Sequence, residues 1–298
     1  MQKDVVVSVV IGSYNRLEFL KATIETVRAD ITNIRHEIII VDGGSNDGSI
    51  EWLIAQKDII TILQHNRGEW NGQPIERQSW GYFMNLGFRA ASGKYICMLS
   101  DDCLVIPGAI KNGITKFNSQ LKSGKKVGAL AFYWRNWPEQ KKYWIGTTYN
   151  DTTHVNHGMY LKKALEAINY IDAQAYFFYH ADSDICLRLM KAGYTISDSP
   201  SSFIEHYSDA NAAVRATNME RQQQDWATYL NRWDKLREPK HEWIERTYHD
   251  PHATAEHYWR KLLPVAAPEE PLPTEVNDNN TPKSLSKMLN LLKGARKK

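Results

Sequence analysis

Residues 5–29 read VVVSVVIGSYNRLEFLKATIETVRA. An almost unbroken β-branched run from Val5 to Ile11 gives way to a Gly-Ser-Tyr-Asn turn, and then to apolar residues at helical spacing. That is strand, loop, helix, and the order recurs downstream. His36 to Val41 reads as a second buried strand, GGSNDGS at 43–49 as a turn, Ile50 to Gln56 as a short helix, and Ile59 to Gln64 as a third strand. Glu76 to Ala91 has the helical period again, and Lys94 to Leu99 is a fourth buried strand. Strands apolar on both faces, alternating with helices, predict a Rossmann-like α/β fold with a mostly parallel central sheet flanked by helices. In such sheets ligands sit beyond the carboxyl ends of the strands, so the polar residues directly after each strand are the candidates for chemistry.

After Pro107 the alternation weakens. A helix to about Phe117, strand-like pieces near Val127–Trp134 and His154–Leu161, and a helix at Asp184–Ala192 predict a mixed second half. Ala210 to Leu263 reads as mainly helical. Residues 264–282 hold five Pro, many acidic and amide residues and almost no large apolar ones, the composition of a linker. In residues 283–298, Leu285, Met288, Leu289, Leu291 and Leu292 share one helical side among Lys and Arg, a pattern that suits an anionic membrane surface, a partner or a frayed basic helix.

At 298 residues and 42% hydrophobic the chain can bury a sizeable core. A net charge of +3, from 37 basic and 34 acidic residues, is too balanced for a nucleic-acid binder yet compatible with a small anionic ligand. The three cysteines, Cys97, Cys103 and Cys186, are odd in number and lack CxxC spacing, so they read as reduced thiols. The charged start runs straight into a strand and no eighteen-residue apolar run follows. These features predict a chain kept on the cytoplasmic side, peripheral to the inner face of the membrane if its tail binds there.

Three clusters carry the candidate chemistry. The first joins Ser13, Tyr14, Asn15 and Arg16 to Asp42, Gly43, Gly44 and Asp47. Here a carboxylate can accept from a base or ribose and glycines let backbone approach closely, although GGSNDGS equally suits a tight turn ending in a helix cap. The second, Ser100, Asp101 and Asp102, follows the buried strand KYICML. Adjacent acids there demand a positive partner such as Mg²⁺ or Mn²⁺, or else are solvated and cap the next helix. The third, FFYHADSDICLRLMKAGY at 177–194, opens a helix with Asp182 and Asp184, which are suited to a base and its support or to a plain helix cap. His206, after SSFIEH, suits a metal ligand or an ordinary buried histidine.

Taken in order, VVIGSYNR, EIIIVDGGSNDGS, MNLGFRAASGKYICMLSDDCLVIPGAI, YHADSDICLRLMKAGY and His206 resemble the inverting family 2 glycosyltransferases of GT-A fold, in the branch of bacterial rhamnosyl- and galactofuranosyltransferase-like enzymes. The resemblance spans roughly Val5 to Tyr207. It implies a domain over 1–209, with a nucleotide-binding half (1–106) and an acceptor half (107–209), ahead of the helical extension 210–263. It implies nucleotide contacts from Ser13, Tyr14, Asn15, Arg16, Asp42, Gly43, Asn85 and Asp101, with Asp42 on the base. Asp102, the last acid of the family's Asp-x-Asp motif, and His206 would hold Mn²⁺ or Mg²⁺, and Asp182 would be the base, with Asp184 as the fallback. The donor would be a UDP, dTDP or GDP sugar. The acceptor would be a glycan or lipid-linked glycan of a bacterial surface polysaccharide, with Trp70, Trp80 and the aromatics between Tyr133 and Tyr149 as candidates to stack on it. Two positions depart from the pattern: Ser100 replaces the first acid of the metal motif, and Ala181 replaces the Glu before Asp182. They keep an inactive nucleotide- or sugar-binding scaffold in play. A sugar nucleotidyltransferase is a weaker rival because GSYNR has one Gly and one Arg, and no GxGxxG supports a dehydrogenase.

Overall fold

The computed structural model describes residues 4–207, 212–248 and 254–262. The expected linker 264–282 and basic tail 283–298 lie outside the described residues.

Strand β1 (Val7–Ser13) lies inside the sheet with a parallel strand on each side, and Val7, Val9, Val10 and Ile11 are fully buried. Helix α1 (Leu17–Ile31) covers one face through Leu20, Ile24, Val27 and Ile31, a spacing of three and four residues that puts one stripe against the strands. The chain continues through β2 (His36–Asp42), α2 (Ser49–Ala55), β3 (Ile59–Leu63) and a hairpin of β4 (Glu69–Trp70) and β5 (Gln73–Pro74). Asn71 and Gly72 turn that hairpin with positive φ at both positions, the chemistry a two-residue turn requires. Helix α3 (Trp80–Ala90) and strand β6 (Tyr95–Ser100) complete a parallel set in the order β3-β2-β1-β6. Its registers pair Ser13 with Asp42 and Gly12 with Ser100, so three strands end side by side and deliver their polar residues to one edge.

Helix α3 sits close on the sheet because Gly87 has no side chain. A Cβ there would lie 2.5 Å from Val10 Cγ1 and 3.0 Å from Val41 Cγ2. Gly87→Ala should therefore destabilise the fold by about 1–2 kcal/mol, overpacking outweighing the better helix propensity of alanine. The check is a urea titration in which the midpoint falls while the slope stays the same.

The second half adds β7 (Cys103–Val105), α4 (Ala109–Lys122), β8 (Val127–Asn136), β9 (Tyr143–Thr148), β10 (Thr152–Thr153), β11 (Gly158–Leu161), α5 (Lys162–Ala167), α6 (Ala181–Lys191) and β12 (Thr195–His206). Strand β11 is antiparallel to β6 and β8, so the sheet turns mixed where the sequence alternation fades. Strand β12 is twice as long as SSFIEH suggests. Its first half, TISDSP, lacks a strand pattern, and it pairs with β8 across a register break between Ser199 and Phe203 that accommodates Pro200. The same strand pairs antiparallel with β7 and sets His206 opposite Cys103, beside the acids after β6.

Helices α7 (Ala212–Met219), α8 (Gln222–Trp233) and α9 (Thr254–Leu262) match the helical reading of the C-terminal part. Strand β13 (Trp243–Arg246) does not: it pairs antiparallel with β9, a long-range contact that four residues cannot announce. Trp259 of α9 is buried with Ala22 and Leu104. Cys97, Cys103 and Cys186 are buried free thiols. Among the described residues no helix is long and apolar enough to cross a membrane.

Candidate active site

At the carboxyl edge of the parallel strands the loops after β1 and β2 are tied together. Asn15, in the left-handed region at φ 51°, donates its N–H to Ser45 Oγ at 2.8 Å and accepts from Asn46 N at 2.8 Å. Asp42 is fully buried, and its carboxylate accepts from Gly44 N, Ser45 N and Ser45 Oγ at 2.7–2.8 Å. Asp42 thus builds the turn rather than lining the cleft beside it, whose walls include Gly12, Ser13, Tyr14, Arg16 and Gly43. Asn85 also has a structural job: its amide exchanges two hydrogen bonds with the backbone of Ile171, at 2.9 and 3.1 Å. That correction follows from its place on the buried side of α3.

The positive partner demanded by Asp101 and Asp102 is supplied by the chain itself. Arg16 Nη1 donates to Asp101 Oδ1 and to Asp102 Oδ2, both at 2.8 Å. Burial opposes charge on Arg16, but the two acids hold its proton more tightly than usual. Burial likewise raises Asp101, with Arg16 pulling it back down. The other oxygen of Asp102 faces His206, Oδ1 to Nε2 at 3.4 Å. His206 Nδ1 lies 2.7 Å from Asn136 Oδ1, and an amide oxygen can only accept, so Nδ1 carries hydrogen and Nε2 is the ring nitrogen turned to the carboxylate. A histidine held this way by a carbonyl and facing a carboxylate fits a divalent cation. Among the described residues no three His, Cys, Asp or Glu side chains form a metal cluster, so Asp102 and His206 would be a partial set.

Two arginines outside the three sequence clusters, Arg67 and Arg77, also line the cleft. They flank the β4–β5 hairpin directly after β3, and a search of every strand end for cations, not only the first, would have found them.

Asp182 and Asp184 open α6 and do different things. Asp182 is partly exposed, accepts Ser183 N at 2.8 Å and receives Asn156 Nδ2 at 3.2 Å; Asn156 itself lines the cleft. Asp184 is fully buried and takes Tyr176 OH at 3.1 Å, Trp233 Nε1 at 3.0 Å and Arg188 Nε at 2.7 Å, with Arg232 Nη1 at 3.3 Å. His157, next to Asn156, is buried, and burial together with His206 pushes its pKa down to about 3, so it stays neutral. Of the aromatic candidates, Trp80 lines the cleft and Trp70 is 74% exposed, whereas Tyr133, Trp134, Tyr143 and Tyr149 are buried as packing.

Comparison with known proteins places this arrangement. A stretch of 115 residues, 38% of the chain, is 33% identical to an uncharacterized glycosyltransferase of Nostoc sp. strain PCC 7120, covering 33% of that protein. Another of 102 residues, 34% of the chain, is 37% identical to an uncharacterized glycosyltransferase of Rickettsia felis, covering 15% of it. The chain thus matches a third or less of either relative's length. Among solved structures, the mannosyltransferase PcManGT from Pyrobaculum calidifontis in complex with GDP-Man and Mn²⁺ superposes with a TM-score of 0.53 at 15% identity, over 77% of this chain and 65% of that one. S. aureus TarS 1–349 in complex with UDP-GlcNAc gives 0.54 at 12% identity, over 76% and 67%. Those likenesses speak for the fold, a curled GT-A sheet flanked by helices. Residues 8–179 match the family described as Glycosyl transferase family 2, and with more than half of its length so matched the protein belongs to that family.

Proposed function

We propose that the protein transfers a sugar from a nucleoside diphosphate to an acceptor hydroxyl, with inversion at the anomeric carbon. The observation that carries this reading is one cleft that holds Ser13, Arg16 and Asp101 at the strand ends and Asn156, the hydrogen-bond donor to Asp182, on its other side. Asp182 takes the proton of the attacking hydroxyl, the new glycosidic bond forms as the bond to the diphosphate breaks, and the nucleoside diphosphate leaves. Asp184 positions α6 rather than exchanging protons, since four donors converge on its carboxylate. Tyr14 and Gly43 flank the nucleoside, on a loop that Asp42 holds in shape. Asp102 and His206 would hold Mn²⁺ or Mg²⁺, and such a cation would supply positive charge for the leaving diphosphate.

This cleft, and structures of the same fold solved with GDP-Man and UDP-GlcNAc, support a nucleotide-sugar donor; UDP, dTDP and GDP sugars are the candidates. A glycan or lipid-linked glycan, in bacterial surface polysaccharide synthesis at the cytoplasmic face, is the acceptor we favour. Ser100 and Ala181 favour one second reading, a scaffold that binds nucleotide without turnover.

Calorimetric titration of UDP, dTDP and GDP with and without Mn²⁺ tests the donor site, and turnover of the matching sugar nucleotide separates enzyme from scaffold. Asp102→Ala should remove the increment in affinity that Mn²⁺ adds, about tenfold if one charged ligand contact is lost. An unchanged Mn²⁺ increment would take the cation away from Asp102.

A further inference from the structure

Arg16 is already neutralised by two acids in direct contact, whereas Arg67 and Arg77 feel only the more distant carboxylate of Glu220. Among the described residues neither makes an ion pair with a carboxylate. Their donors end on neutral oxygens of α7: Arg67 Nη1 on Thr217 Oγ1 at 2.8 Å, Arg77 Nη1 on Thr217 O and Oγ1 at 3.1 Å, and Arg77 Nη2 on Asn218 Oδ1. Arg77 Nε is buried without an acceptor. Both guanidinium groups lie over aromatic rings, Arg67 over Tyr14 at 5.0 Å and Arg77 over Phe177 at 4.7 Å to the centroid. The loop that carries them is pinned at its base, Asn66 Oδ1 accepting from Gln78 N at 2.6 Å. Burial, and then Arg67, lower the pKa of Arg77 to about 10, which still leaves it charged at neutral pH.

Two oriented, partly desolvated guanidinium groups with only neutral acceptors match the forked oxygens of phosphate. They face a cleft whose other cationic group is committed to carboxylates. We propose that Arg67 and Arg77 form the grip on the donor's diphosphate, exchanging the oxygens of Thr217 and Asn218 for phosphate oxygens, and that this grip operates without a divalent cation. The proposal rests on the reading of the cleft as a nucleoside diphosphate sugar site, and it divides the labour: arginines bind the ground state, while any cation at Asp102 and His206 serves the departing charge.

The test is titration of the full chain with each nucleoside and its diphosphate (uridine and UDP, guanosine and GDP, thymidine and dTDP), in EDTA and in Mn²⁺. In EDTA the wild type should bind its preferred diphosphate about tenfold or more tighter than the nucleoside. The double variant Arg67→Gln/Arg77→Gln should lose that ratio, which is read against its own nucleoside affinity. Should it fail to fold, Arg67→Lys and Arg77→Lys singly carry the same test, each with a loss of about threefold or more because a lysine cannot reproduce the fork. A wild type that prefers the diphosphate only in Mn²⁺, or variants that keep the preference in EDTA, would overturn the proposal and leave the donor site standing. A wild type that binds no diphosphate in either buffer would overturn both.

Discussion

Replacing Asp182 by Asn is expected to lower turnover by about 10²–10⁴-fold, the usual contribution of a positioned general base, with donor affinity changed by about twofold or less. Asp182 lies in the first turn of α6. Its two oxygens receive Ser183 N and Asn156 Nδ2, so the carboxylate is held in place yet stays partly exposed. Asparagine preserves the shape but cannot take a proton at neutral pH. Steady-state kinetics of sugar transfer, paired with calorimetry of the nucleoside diphosphate, separate the two effects. An equal loss in both would mean that Asp182 supports the donor pocket through Asn156 instead, and the base would be another residue.

The parallel strands were legible because burial on both faces leaves continuous β-branched runs, as in Val5 to Ile11 and His36 to Val41, and the registers then bring Ser13, Asp42 and Ser100 to one edge. What each polar residue does at that edge was less legible, because a loop carboxylate serves a turn or a ligand with the same local sequence. Asp42 satisfies backbone N–H groups of its own turn, and Asn85 closes on Ile171, a partner 86 residues away. Arg16 as the counter-charge of Asp101 and Asp102 is a contact across 85 residues that no spacing rule encodes. Arg67 and Arg77 were missed for a different reason: they sit in a polar hairpin segment without a motif, and only the fold turns them toward the cleft. The pairing of β13 with β9, and the bulge that lets Pro200 stay within β12, are likewise tertiary outcomes.

Asp184→Ala is expected to leave the chemistry formally possible but to cost about 3–5 kcal/mol of stability, because removing one partner strands buried opposite charge. Arg188 loses a 2.7 Å contact and Arg232 a 3.3 Å one, both partly exposed, while the buried Tyr176 OH and Trp233 Nε1 lose their acceptor. Two features pull the cost toward the lower end of that range. Arg188 keeps Ile168 O at 2.7 Å and the carbonyl of Tyr170, and Arg232 keeps Asp172 at 2.8 Å. A loss near 3 kcal/mol corresponds to a fall in melting temperature on the order of 10 °C for a domain of this size, readable by calorimetry. Asp182→Asn, two residues away, should melt within about 2 °C of the wild type, since its carboxylate is partly exposed and anchors no buried charge. The pair of variants therefore tests the division of labour at the start of α6 in both directions. If Asp184→Ala melts like the wild type yet loses turnover, the buried acid is the one that exchanges the proton, and α6 must open to let it do so.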